Sequence, residues 1–286
     1  MVAGVSTDGA EPRDLPVVID TTKSSIARVY DAFLDGKDNY EIDRQVMNDV
    51  LRIAPQAKLV ARALRRWQLR VTRYAARMGT DQFLDCGPGI SAAENTHHVA
   101  QRHNPEAVVI YVDSDPIVST HARALLVEND RTHFVQAEFT QPQVLLTHPT
   151  VMQHLDFNRP IMLLQCATLH HIDDEVRPAQ IMAEYIDALP SGSLVGLTHF
   201  WDPEDGGEGT VLAHEIETCF RASSMGASRY RTRTEIQAML AGLDLLEPGL
   251  VELDQWWPGG PALTPPYLVE RLILGAVGRK PSNHSS

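Results

Sequence analysis

The residues able to do chemistry cluster where short apolar runs end. The run Phe83-Leu84-Asp85-Cys86 leads directly into Gly87-Pro88-Gly89. Glycines at such a place let the backbone turn sharply and let a ligand approach without meeting a Cβ. Taken alone, Gly87-x-Gly89-x-x-Ala92 suits a dinucleotide as well as a single nucleoside. Asp85 separates the readings. A carboxylate two residues before the first glycine suits a ligand carrying an ammonium group, such as the methionine end of S-adenosyl-L-methionine, and has no purpose beside a pyrophosphate. Asp113 ends the next run, Ile110-Tyr111-Val112-Asp113, where it can accept hydrogen bonds from both hydroxyls of a ribose. That acid, with Ser114 beside it, is common to both cofactor types. After the third run, Glu138 suits an adenine amino group and Phe139 an adenine face; a solvent-facing loop acid and a core plug are the plainer readings of the pair.

The fourth run opens a different chemistry, in Gln165-Cys166-Ala167-Thr168-Leu169-His170-His171-Ile172-Asp173. Histidine titrates near neutral pH, so His170 or His171 is a candidate general base; capping and packing are the alternatives. No third ligand stands at usable spacing, so no metal is expected. The fifth run leads into His199-Phe200-Trp201-Asp202 and the loop Asp205-Gly206-Gly207-Glu208-Gly209. That loop could cover a substrate, with Trp201, Trp256 and Trp257 as aromatic walls or as ordinary packing.

Only a particular scaffold brings these loops together. The runs are Gln82–Cys86, Ala107–Val112, His133–Gln136, Ile161–Gln165 and Leu194–Thr198. Helical stretches alternate with them at Ala92–Arg102, Pro116–Leu126, Asp173–Leu189 and Val211–Ala222. Strand–helix alternation gives a parallel sheet with helices on both faces, and ligands bind at the carboxyl ends of its strands. After a further helix, Thr234–Leu240, two strand-like runs, Leu243–Leu253 and Tyr267–Val277, have no helix between them and are expected to pair as an antiparallel hairpin. Ahead of the sheet the pattern is helical. Ser24 or Ser25 caps a helix carrying Ile26, Val29, Tyr30, Phe33 and Leu34 on one face, and Gly36 ends it. Two more helices follow, Glu41–Ile53 and one reaching Met78 that buries Leu59, Ala63, Trp67, Val71 and Tyr74.

Composition limits the function classes. The chain has 286 residues, 43% hydrophobic and 22% charged, as an ordinary globular protein does. A formal charge of −12 argues against a protein that grips nucleic acid by its backbone. One segment, Ala54 to Gly79, has no acids and carries Lys58, Arg62, Arg66, Arg70, Arg73 and Arg77 at helical spacing; a solvated face paired with acids elsewhere is the plain expectation, a groove for an anion the sharper one. Three cysteines are too few for a disulfide framework. No run approaches a membrane span and no signal peptide opens the chain, which points to the cytoplasm.

The string Ser25-Ile26-Ala27-Arg28-Val29-Tyr30-Asp31, followed by Asp35-Gly36-Lys37-Asp38-Asn39-Tyr40, resembles the actinobacterial S-adenosylmethionine-dependent methyltransferase family first catalogued as a domain of unknown function, DUF574. Supporting matches are Gln82-Phe83-Leu84-Asp85, Asn95-Thr96-His97, Val112-Asp113-Ser114-Asp115-Pro116 and His121-Ala122-Arg123-Ala124. The resemblance spans roughly residues 18–280. It implies a class I fold: a doubly wound, mostly parallel seven-stranded sheet with an antiparallel C-terminal hairpin and an N-terminal helical lid. It also implies that Tyr30, Lys37, Asn39 and Tyr40 approach the carboxylate end of the methionine moiety. The chain departs from the family pattern in its glycine turn, where Pro88 removes a backbone donor and Ala92 lacks a threonine hydroxyl. Leu64 stands where an asparagine is expected, and Glu138 where an aspartate is.

The expected organisation is a flexible N-terminus over 1–20, a helical lid over 21–79, a Rossmann-like S-adenosylmethionine-binding domain over 80–280 and a flexible tail over 281–286. The expected function is methyl transfer from S-adenosyl-L-methionine to a small-molecule acceptor, with a homodimer left open. A non-catalytic binding protein on the same fold and a nicotinamide-dependent oxidoreductase are the alternatives.

Overall fold

In the computed structural model, the residues described are 19–90, 94–126, 130–226, 228–256 and 264–282. The described residues begin with three helices. Helix α1 (Ile26–Phe33) starts at Ser25, whose hydroxyl accepts the Arg28 N–H at 3.2 Å. At α2 (Glu41–Ile53) the Asp43 carboxylate accepts the Tyr40 N–H at 2.8 Å and caps the first turn. The long α3 (Ala57–Arg77) lies against the sheet. It buries Val60, Leu64, Trp67, Val71 and Ala75, so of the residues expected on its inner face only Trp67 and Val71 are fully buried. Leu59, Ala63 and Tyr74 are half-buried. The face is rotated because α3 is covered on several sides, by α1, by strands and by later helices, instead of by one surface.

The alternating part follows as β1 (Gln82–Cys86), α4 (Thr96–His103), β2 (Val108–Asp113), α5 (Pro116–Leu126) and β3 (Thr132–Gln136). Two short helices come next, α6 (Pro142–Leu146) and α7 (Pro149–His154). Each begins on a proline, where a missing N–H costs nothing. Then come β4 (Met162–Cys166), α8 (Pro178–Ala188), β5 (Leu194–Phe200), α9 (Glu208–Ala222) and α10 (Arg233–Ala238). Helix α8 starts later than the periodicity suggests. Arg177, at φ 56°, breaks the path because a residue preceding proline disfavours helical geometry.

The first five strands are parallel, in the order β3-β2-β1-β4-β5, and two later ones, β8 (Ile273–Arg279) and β6 (Asp244–Leu245), extend the sheet beyond β5. All five residues of β1 and of β4 are buried, as strands covered on both faces must be. The order reverses between β1 and β4, and a crevice opens there above Cys86 and Cys166. The antiparallel closure is present, but not as two long strands. β8 pairs with β5, and its outer partner is split into β6 and β7 (Val251–Glu252), which makes eight strand segments among the described residues where seven were expected. Pro248 has no N–H for a ladder, and Gly249 donates to Leu246 O at 2.8 Å, so the edge strand turns out of the sheet midway. Residues expected to begin the last strand instead form the short helix α11 (Leu268–Arg271), capped by Glu270 accepting the Tyr267 N–H at 3.1 Å. Among the described residues no helix is long and apolar enough to cross a membrane.

Candidate functional site

The glycine turn needs its glycines for two different reasons. Gly87 has φ 68° and donates its N–H to Val112 O at 2.7 Å. A Cβ there would lie 2.3 Å from the Thr168 Cγ2, so the turn and the loop after β4 fit together only without a side chain. Gly89 has φ 69°, but its nearest obstacle, the Tyr30 ring, is 3.5 Å away; the backbone angle alone favours glycine. The next residues, 91–93, including Ser91 and Ala92 of the motif, lie outside the described residues.

Above this turn is a cavity of about 610 Å³. Gly87, Pro88, Gly89, Asp113, Ser114 and Phe139 stand on its wall at the sheet end. Asp113 sits at the end of β2, where it accepts the Asp115 N–H at 2.9 Å and a further N–H from Gly89. Burial pushes its pKa up to about 7, and the neighbouring Asp115 and Glu138 add to the rise. A carboxylate held this far from its usual range gains from any ligand that brings donors, and a ribose diol brings two. A cradle bare of Cβ atoms beside such an acid is the fit expected for a nucleoside ligand.

Three other predicted site residues are on the wall and five are not. Tyr30, His170 and His171 line the cavity. Asp85 is fully buried behind it, accepting Gln68 Nε2 at 3.1 and 2.9 Å and the Thr96 hydroxyl at 2.6 Å. Burial raises its pKa to about 6. The donors that hold Asp85 therefore come from the protein, and Gln68 stands between it and the cavity. Lys37 and Tyr40 are exposed and off the wall, as is Glu138. Asn39 is also absent from it; its amide donates to Asp31 Oδ2 at 2.8 Å, which braces the end of α1.

The N-terminal helices roof the cavity. Residues 19–25 form a strap whose Ile19, Asp20 and Lys23 also line it. The strap is fixed from below by Arg28, which donates to the carbonyls of Asp20 and Lys23 and, at 2.9 Å, to the fully buried Asp43. Its far side is pinned where Ser24 N donates to the Ser224 hydroxyl at 2.9 Å. Three of the six residues that make up the basic face of α3 are engaged: Lys58 and Arg62 pair with Asp35 at 2.5 and 2.6 Å, and Arg70 donates to Leu253 O at 2.7 Å.

One wall of the cavity is aromatic. The His170 ring stacks on Phe200 at 3.6 Å and 15°, and Phe200 stacks on Tyr230 at 4.8 Å and 15°. His171 meets Phe200 edge-on at 6.3 Å. Only 1% of His170 is exposed, and its Nδ1 has no hydrogen-bond partner. Burial, with His171, His199 and Arg231 nearby, holds its imidazole neutral, well below the usual range.

One residue that sequence reasoning missed fastens this wall. The buried Arg231 donates to Leu169 O at 3.1 Å, Ile172 O at 2.7 Å and Asp174 at 2.7 Å, bracketing the histidine loop. Its Nη1 also lies 2.9 Å from His199 Nε2. A guanidinium only donates, so that nitrogen accepts and the His199 proton sits on Nδ1, facing Phe200 O at 2.7 Å. Nothing around Arg231 in sequence marks it, because its partners lie 32 to 62 positions away. The expected tryptophan walls are elsewhere. Trp256 is fully buried against Trp67 at 5.9 Å, Trp201 packs under Arg233, and Trp257 lies outside the described residues. The glycine-rich loop near 205–209 starts α9 and is not on the wall; Asp205 accepts the Gly207 N–H at 2.8 Å.

A sequence-family model described as S-adenosyl methyltransferase matches residues 12–281. The chain belongs to that family. Its cofactor is accordingly S-adenosyl-L-methionine, and the antiparallel β8 and family membership together set the nicotinamide reading aside. The chain is similar to a crystallised protein from Thermobifida fusca YX, provisionally named a methyltransferase, with 35% identity and a TM-score of 0.86 over 92% of this chain and 97% of that one. It is similar also to a crystallised DUF574 family protein from Streptomyces avermitilis, with 33% identity and a TM-score of 0.85 over 92% of this chain and 99% of that one. No functionally curated protein matches.

Proposed function

We propose that this methyltransferase acts on a small molecule enclosed in the cavity beside the cofactor. The observation that carries the reading is the single cavity of about 610 Å³ joining Asp113 and the two glycines to the His170–His171 wall. Small-molecule sites span about 300–1,000 Å³. A space of this size shared by two ligands suits a compact acceptor and not a folded macromolecule.

Gly87, Gly89, Asp113, Ser114 and Phe139 would hold the cofactor, and Tyr30 would close over it from α1. Bound there, S-adenosyl-L-methionine supplies an electrophilic methyl group that an acceptor lone pair can take while sulfur keeps the electrons of the broken bond. The protein's part is then positioning and exclusion of water, with α1–α3 and the strap as the lid. His170 is a poor base because burial disfavours its charged form, so it serves as wall. His171, half-buried on the same loop, takes the proton of an acceptor hydroxyl. Asp85 acts one layer back, holding Gln68 and Thr96.

Calorimetry with S-adenosylhomocysteine and NAD, followed by transfer of labelled methyl to a small-molecule panel, tests this function. Binding of the sulfur nucleoside alone and label in a small product are expected. Label appearing only on protein or nucleic acid overturns it. Tight binding without turnover would favour the non-catalytic alternative, for which Pro88 on the wall, lacking an N–H, is the specific observation. His171→Ala should lower kcat by roughly 10²–10⁴-fold and leave S-adenosylhomocysteine affinity unchanged.

A further inference from the structure

Two parts of the cavity wall differ in kind. The glycine-turn end is polar, with Asp113, Ser114 and Asp115 on its wall. A second part of the wall comes from α1, α2, α3 and α9, with Phe33, Val50, Val60, Leu64, Ile216 and Phe220. All six belong to one continuous apolar cluster, against which Met225 and Tyr230 also pack.

The position of the charges is as informative as the apolar surface. Five charged side chains line the cavity: Asp20, Lys23, Arg28, Asp113 and Asp115. Asp113 and Asp115 stay at the glycine turn, where backbone N–H groups satisfy them. Arg28 is occupied by buried Asp43, and Asp20 accepts from Thr22 at 2.6 Å. Lys23 is exposed on the strap at the mouth. Among the described residues that α3 and α9 place on the wall, none is charged. An acceptor with an ionised group would have to desolvate it there with no partner, a cost that far exceeds the gain from the hydrocarbon around it.

Part of the remaining wall consists of rings. His170, Phe200 and Tyr230 form a parallel stack, and His170 is kept neutral inside it, so even its titratable member offers no charge. Aromatic walls favour ring-shaped partners, through an offset stack or an edge contact.

We propose that the acceptor site, given the small-molecule function above, takes an uncharged, largely apolar ring compound, seated between the His170–Phe200–Tyr230 stack and the apolar faces of α3 and α9. Anionic and cationic acceptors of the same size are excluded by the same surface.

The test uses three probes of matched shape: 2-naphthol, 2-naphthoate and 2-naphthylmethylammonium. Each is titrated calorimetrically into the full chain saturated with S-adenosylhomocysteine at neutral pH. The neutral probe should bind at least about tenfold more tightly than either ion, given what burying an unpaired charge costs. Phe220→Ala and the ring-removing Tyr230→Leu should each weaken 2-naphthol about tenfold or more while S-adenosylhomocysteine affinity stays unchanged, which also shows that the variants fold. Equal or tighter binding of a charged probe overturns the inference. So does a lack of 2-naphthol binding to a protein that does bind S-adenosylhomocysteine, or 2-naphthol binding that neither variant alters. If S-adenosylhomocysteine itself fails to bind, the cofactor assignment is what has failed.

Discussion

The glycine-turn end and the apolar end of the cavity are assembled in opposite ways. The first is local: seven consecutive residues, Phe83 to Gly89, supply a strand, a turn and the bare backbone a nucleoside needs, and Asp113 arrives by simple parallel pairing of β2 beside β1. The second is distributed over the chain, from Phe33 to Tyr230, and exists only because the N-terminal helices fold back over the sheet and α9 closes against α2. The difference teaches that cofactor chemistry can be written in a motif, while acceptor chemistry is written in packing. The two ends should therefore fail differently when residues are changed.

The largest effect is expected at the roof. Arg28→Met leaves Asp43, fully buried, without its cation, and breaking a buried pair from one side costs about 3–5 kcal/mol. Urea unfolding at neutral pH should show that loss. Lys58→Met, which breaks the exposed pair with Asp35, should change stability by no more than about 1 kcal/mol. Equal losses from the two would mean that the roof is not held by Arg28.

The turn comes next. Gly87→Ala adds a left-handed strain of about 1–2 kcal/mol to a clash with Thr168, for a total of about 2–4 kcal/mol. Gly89→Ala has the strain without the clash and should lose about 1–2 kcal/mol. Denaturant midpoints measure both, and the reverse order would contradict the fit between the turn and the β4 loop.

The pH dependence of binding is smaller and separates the ends further. Burial raises the Asp113 pKa to about 7 in the free protein, and ribose donors would favour the ionised form and lower it. Ligand affinity should therefore rise with pH up to about 7 and then flatten, by at most about 1.4 kcal/mol per unit. Asp113→Asn should remove this component. A 2-naphthol titration should show no pH component that Asp113→Asn removes.

The smallest effects concern the string that carried the resemblance. Lys37→Ala and Tyr40→Ala, both off the cavity wall, should change S-adenosylhomocysteine affinity by no more than about 0.5 kcal/mol. A loss of 1 kcal/mol or more from either would show that the lid closes further when the ligand is bound.

The same contrast explains what could be read before the fold was known. The five parallel strands and their helices were legible because buried strands and amphipathic helices leave periods in the sequence. Asp113, the glycines and the two histidines were legible because each stands where a run ends. Asp85 was found for a role its hydrogen bonds do not leave open: a pattern shows that an acid is present and says nothing of Gln68 and Thr96, which arrive from other elements to claim it. The split edge strand followed from Pro248, a signal present in the sequence but outweighed by the apolar run around it. Arg231 and the Phe220–Tyr230 wall gave no local signal at all. Their roles rest on partners far away in the chain, and hydrophobic residues destined for a site wall look the same as those destined for the core.

The most direct measurement is a calorimetric titration of S-adenosylhomocysteine into the wild-type chain and into Asp113→Ala at pH 8. A single site is expected in the wild type, with affinity in the variant reduced by about 1.5–3 kcal/mol, the range for a hydrogen bond to a charged group. Equal affinity in the two proteins, or no binding to the wild type, would contradict the placement of the cofactor at the glycine turn beside Asp113.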